Sequence, residues 1–129
     1  MRSLLAVAIG IIGIAFVAAF LDWWHLEKSI RHTGEEVRAN FPAGMALTAA
    51  SAVASAHYPR ATIYPAAECD KLIGKDTRTR HAEGGPCLLG VAAAGKNLLG
   101  FRTELSFALL FGPDAKLESV SLRQVNTWL

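Results

Sequence analysis

The residues best suited to chemistry in this chain are its cysteines and histidines. Thiolate and imidazole are the ligands that zinc prefers, so Cys69, His81 and Cys87 have the composition of a metal site. They number only three, and they lack the paired Cys-x-x-Cys spacing of structural zinc sites. In an oxidising compartment, two cysteines that flank a polar, turn-rich segment favour a disulfide instead. We therefore predict a disulfide between Cys69 and Cys87 and no bound metal.

Catalytic sets are also incomplete. A serine nucleophile needs a base and an orienting acid, but His57 lies two positions from Ser55 and points elsewhere on a helix. Glu35 and Glu36 are adjacent, so their carboxylates diverge. No glycine pattern typical of phosphate or dinucleotide binding occurs. The sequence therefore predicts neither an enzyme nor a bound cofactor.

The element that precedes all these residues is a long apolar run. Residues 4–21 are eighteen consecutive positions without a charge, and Trp23 and Trp24 follow almost at once. A helix rises about 1.5 Å per residue, so this run just crosses a hydrocarbon core of about 30 Å. Tryptophan favours the boundary between the hydrocarbon and the headgroups. Residues 1–24 are therefore predicted to form a transmembrane anchor, or signal anchor.

A cleaved signal peptide is the alternative interpretation of the same run. Arg2 supplies a short positive N-terminal region, and Val17-Ala18-Ala19 resembles a cleavage site. The anchor is favoured because the apolar run continues past this site and is then flanked by tryptophan. Both interpretations export the rest of the chain. As an anchor, the segment predicts a single-pass protein of the inner (plasma) membrane, with a cytoplasmic N-terminus and a periplasmic or otherwise extracytoplasmic C-terminal domain.

The charge balance argues against a nucleic-acid partner. All eleven Asp and Glu and twelve of the thirteen Lys and Arg follow the apolar run, which leaves the exported part nearly neutral. Binding to a phosphate backbone needs a clustered basic surface. One basic segment does occur, and we interpret it either as a solvated loop or as a docking surface for acidic headgroups or an acidic protein. Its cations are Lys71, Lys75, Arg78 and Arg80.

Residues 25–129 are long enough for one small α+β domain. Apolar residues recur at three- and four-residue steps over residues 22–40, which indicates a helix that continues from the membrane segment. A second helix, rich in alanine and serine, is predicted over residues 45–57, and a loop over residues 68–86. Strands are predicted over residues 61–64, 87–94, 101–111 and 117–125.

The third predicted strand has the clearest pattern. Six apolar or β-branched residues alternate with polar or small ones, which places the six on one face of a sheet. They are Phe101, Thr103, Leu105, Phe107, Leu109 and Phe111. The fourth strand should return as a hairpin partner, with Val120 and Leu122 on the same face. Two helices then cover one face of a three- to four-stranded antiparallel sheet in a two-layer sandwich.

The order of these segments resembles one known family. Phe41-Pro42-Ala43-Gly44-Met45 between two helices, Tyr58-Pro59 after the second, and a Gly-Pro-Asp-Ala-Lys-Leu hairpin at residues 112–117 are similar to the SmpA/BamE-type small lipoproteins of outer-membrane assembly. The resemblance extends over roughly residues 35–125. It implies an α-α-β-β-β sandwich that binds protein partners, and it transfers no functional residue. Unlike that family, this chain has no lipid-attachment cysteine after its apolar run.

Two functions are consistent with these patterns. The first is a non-enzymatic single-pass membrane protein whose extracytoplasmic domain binds protein partners, as an accessory or assembly subunit of a larger membrane or envelope complex. Gly10 and Gly13 would let another membrane helix pack closely against the anchor. The alternative is a small secreted domain, either a binding or inhibitor module or a minor hydrolase, that signal cleavage releases.

Overall fold

The computed structural model describes residues 1–72, 85–96 and 100–127. In this part of the chain the elements are α1 (Arg2–Asn40), α2 (Leu47–His57), β1 (Thr62–Tyr64), α3 (Ala66–Leu72), β2 (Cys87–Lys96), β3 (Arg102–Phe111) and β4 (Leu117–Thr127). The strands form one antiparallel sheet in the order β1-β2-β3-β4. The predicted α+β class, with a long apolar N-terminal helix and an antiparallel sheet, is therefore confirmed.

The predicted membrane segment and the helix after it form a single helix. Every residue of α1 up to Leu21 is exposed, whereas Gly34 and Val37 in its second half are buried. The helix ends at Phe41-Pro42, because proline has no N–H to continue the hydrogen-bond ladder. α1 is long and apolar enough to cross a membrane by length and composition, a test that an N-terminal signal sequence also passes.

The main core lies between the sheet and the helices α1 and α2. The alternating residues of β3 that face it, all buried, are Thr103, Leu105, Phe107, Leu109 and Phe111. The Phe107 ring lies 5.7 Å from that of Phe41 and 4.9 Å from that of Tyr58, measured between ring centroids. Val120 and Leu122 of β4 pack against the same cluster. The predicted inward face of the hairpin is therefore confirmed for these residues, whereas Phe101 precedes β3 and is only half-buried.

A second, smaller cluster lies on the other face of the sheet. α3 covers that face, and its Cys69 packs with Cys87 and Leu110. The predicted loop is therefore wrong for residues 68–72, which are helical. The sequence does not reveal α3, because seven residues are too few to display a helical repeat of apolar positions.

Five element boundaries also differ from the prediction. β1 begins at Thr62 and β3 at Arg102, each one residue later than predicted, and β4 continues two residues further, to Thr127. α2 begins at Leu47 and not at Met45. β2 continues to Lys96, and Gly95 pairs with Thr103 of β3 after an irregularity in the register. The strand predicted over residues 87–94 is therefore two residues too short.

α1 and β2 run beside each other in opposite directions. Ser29 donates a hydrogen bond from its hydroxyl to the carbonyl oxygen of Ala94. A Cβ built on Gly95 would lie 3.3 Å from Leu26 Cδ1 and 3.6 Å from Ser29 Oγ. Farther along the helix, Gly34 lies against leucine side chains of β3 and β4. The C-terminal end of β2 therefore lies beside residues 26–29 of α1, shortly after the exposed apolar half of that helix.

Candidate membrane helix and partner-binding surfaces

The tryptophans predicted to mark the membrane interface lie together on α1. Trp23 and Trp24 are 57% and 56% exposed. The centroid of each indole lies 6.1 Å from that of the Phe20 ring, one helical turn earlier. Three exposed aromatic rings thus mark the boundary between the apolar half of α1 and the half that packs on the sheet.

The apolar half of α1 is exposed on all sides. None of its eighteen-residue apolar window is buried, and side chains such as Ile14 and Phe16 are exposed by 72% and 76%. A continuous apolar surface of this extent is rare on proteins that live in water. Gly10 and Gly13 lie on one side of it, where a Cβ added at either position would meet nothing within 4 Å. The sequence-predicted packing residues are thus accessible to another helix.

The structure joins Cys69 and Cys87 in a disulfide, as predicted. Their Cα atoms lie 6.0 Å apart, and both residues are buried. The bond ties α3 to the first residue of β2, the strand whose other end sits beside α1. It also uses both sulfur atoms, so neither is a thiolate that could hold a metal. No cluster of metal-binding side chains occurs among the described residues, and His81 lies outside them.

Of the four cations predicted to form a docking surface, only Lys71 belongs to the part of the chain that the structure describes. It is exposed in the last turn of α3. Lys75, Arg78 and Arg80 lie outside the described residues. The docking surface around this segment therefore stays a prediction.

A groove that the sequence did not predict lies between α1, the end of α2 and β2. It has a volume of about 350 Å³, with Glu36 and His57 on its walls and residues 91–93 of β2 along its floor. β1 does not reach this point, because its first residue, Thr62, pairs with Leu89. Within the described residues, the outer edge of β2 over residues 90–96 has no strand partner. Such an edge can accept an extended segment of another protein.

A second concavity lies beside the paired ends of β2 and β3. Its volume is about 420 Å³, and Arg60, Lys96, Arg102 and Glu104 are among its lining residues. The Arg60 guanidinium donates from Nη2 to Glu104 Oε1 at 3.0 Å. Lys96 and Arg102 are register partners and are both exposed. Neither has an ion-pair partner among the residues that the structure describes, so this concavity is basic.

Comparison with protein-family models, with curated proteins and with solved structures found no match to this chain. The resemblance to SmpA/BamE-type lipoproteins therefore stays a prediction. The function proposed below rests on the chain's own residues and their arrangement.

Proposed function

We propose that this chain is a non-enzymatic single-pass membrane protein whose folded head binds other proteins of the membrane or envelope, as an accessory or assembly subunit. The observation that supports this proposal best is the exposed apolar half of α1. Exposed apolar surface is unfavourable in water by about 25 cal/mol per Å², and a bilayer removes that penalty. Because α1 is unbroken, it would hold the head, residues 25–129, at the membrane surface.

The proposed orientation places the N-terminus in the cytoplasm and the head outside it, on an inner (plasma) membrane. The buried Cys69–Cys87 disulfide supports this orientation, because disulfides persist in oxidising compartments and are rare in the cytosol. Arg2 on the N-terminal side of the apolar run agrees with the excess of basic residues found on cytoplasmic flanks.

Two features support protein partners. Gly10 and Gly13 leave a shallow groove on one side of the anchor, bordered by Ile14 and Val17, which lets another membrane helix approach closely. In the head, the edge of β2 over residues 90–93, before the Ala94 carbonyl that Ser29 already uses, offers backbone hydrogen-bonding groups to an added strand. One surface would act within the bilayer and the other just outside it.

The first experiment tests whether the anchor is retained. We expect the protein to stay with the membrane after alkaline carbonate extraction, and its intact mass to include the first nineteen residues. Loss of those residues and release into solution would contradict the proposal and support the secreted alternative. Inactivating the oxidising enzymes outside the cytoplasm should leave Cys69 and Cys87 reduced. This result tests the orientation, because only an exported head depends on those enzymes.

The second experiment tests the partner. We expect gentle detergent extraction to bring a defined set of membrane or envelope proteins with the chain. Gly10→Leu/Gly13→Leu should lose partners that bind within the bilayer, since the leucines would hold a neighbouring helix away. Ala8→Leu/Ala15→Leu, on the opposite side of the helix, is the matched control and should keep them. A wild-type chain that emerges alone would contradict the subunit proposal.

A further inference from the structure

The end of the β2–β3 pair lies level with the tryptophans of α1. Leu26 meets Gly95, and from that contact α1 and β2 run in opposite directions. A helix rises about 1.5 Å per residue and a strand about 3.3 Å. The residue that follows Gly95 in β2 therefore lies at about the same height along α1 as the residue two positions before Leu26. Those positions are Lys96 and Trp24. The exposed Lys96 therefore lies at the depth where α1 would leave the hydrocarbon.

The side chains at this depth are basic. Arg102 is the register partner of Lys96 on β3, and Arg60 lines the same concavity. Glu104 is the one carboxylate among the lining residues, and it is paired with Arg60. Lys96 and Arg102 thus leave a net positive charge next to the interface. The volume of about 420 Å³ is in the range that takes a small ligand.

We propose that the concavity formed by Arg60, Lys96 and Arg102 binds the phosphate of an anionic lipid headgroup. The inference rests on the proposed membrane anchorage, because α1 sets the depth of the concavity. Guanidinium groups match phosphate oxygens with paired hydrogen bonds, and lysine adds a point charge. The position favours a lipid as the source of the phosphate, because lipid headgroups are concentrated at this depth and attract basic side chains.

The binding site has a consequence for the head. If α1 were its only attachment, the head could rotate about the helix axis and tilt relative to the bilayer. A lipid phosphate held at Lys96 and Arg102 would add a second attachment on the side of the sheet away from the helix. The head would then present the β2 edge and its groove in one orientation relative to the bilayer.

The test uses the full chain, purified in mild detergent with equal amounts of phosphatidylglycerol and phosphatidylcholine. Native mass spectrometry measures the ratio of the two lipids that stay bound. We expect the wild type to retain phosphatidylglycerol preferentially. Lys96→Gln/Arg102→Gln should lower that preference by about thirty-fold, since each cation near an anionic surface contributes about fivefold. Both residues are exposed, so the variant should fold, which circular dichroism checks.

Arg38→Gln/Lys116→Gln is the matched control, because it removes two exposed charges at the opposite end of the head. It should leave the lipid ratio unchanged. An unchanged ratio in the Lys96/Arg102 variant, or an equal loss in both variants, would overturn the inference. Displacement of the lipid by millimolar inorganic phosphate would overturn the lipid as the source. If alkaline carbonate released the wild-type protein from membranes, that result would instead contradict the anchorage.

Discussion

Two buried glycines of the head, Gly90 and Gly34, differ in the space that a side chain would find. Gly90 of β2 lies opposite Phe107, and a Cβ at this position would overlap the phenyl ring. Gly34 of α1 is buried against the sheet, but a Cβ there would lie 3.6 Å from Leu122 Cδ1 and 3.7 Å from Leu105 Cδ1. These are ordinary contact distances. The structure therefore requires glycine at position 90 and tolerates a larger residue at position 34.

Alanine at these two positions should change stability in opposite directions. Gly90→Ala should lower the free energy of unfolding by about 1–3 kcal/mol, because the ring of Phe107 must move within a packed core. Gly34→Ala should raise it by up to about 1 kcal/mol, because alanine is the better helix former. Urea denaturation in detergent, followed by circular dichroism, measures both. A neutral Gly90→Ala, or a destabilising Gly34→Ala, would contradict this reading of the core.

At the scale of elements, β3 was predictable and α3 was not. Strict alternation reveals a strand with one buried face, and β3 has it from Thr103 onward. The alternation ends at Leu109, Leu110 and Phe111, which are all buried. This run of three was the available sign that a second element covers the other face. α3 is that element, and its two turns are too short to produce a pattern of their own.

The basic concavity was hidden from sequence analysis for a related reason. Its cations, Arg60, Lys96 and Arg102, are separated along the chain and form no run of charge. The antiparallel pairing of β2 with β3 brings two of them together, and the segment before β1 adds the third. The disulfide, in contrast, could be predicted because only one pair of cysteines exists. Pairing registers, unlike cysteine counts, depend on the whole sheet.

The disulfide should account for much of the stability of the α3 side of the head. It closes a loop between residues 18 positions apart, which restricts the unfolded chain by about 3 kcal/mol in the entropy model. Cys69→Ala/Cys87→Ala should therefore lower the free energy of unfolding by about that amount. Reducing agent should destabilise the wild type to the same extent and leave the double variant unchanged. If the reducing agent lowered the free energy of unfolding of both proteins equally, the loss of stability would not come from the disulfide.

At the scale of the molecule, one helix faces two surroundings. Its first half is exposed and apolar, and its second half contributes Val37 to the core and positions Leu26 against the sheet. The core cluster contains no residue before Val37. The stability of the head should therefore not depend on the apolar half, although its proposed location does. The predicted division between residues 1–24 and 25–129 stays a prediction.

Truncation tests the division directly. A chain without residues 1–24 should be soluble in water and should unfold with a free energy within about 1 kcal/mol of the full chain, because it loses no buried side chain. A chain without residues 1–40 should fail to fold, since it also loses Val37 and the helix that covers the sheet. Urea denaturation and size-exclusion chromatography without detergent distinguish the two. An unstable or aggregated residue 25–129 fragment would mean that the head needs its apolar helix, or the membrane around it, in order to fold.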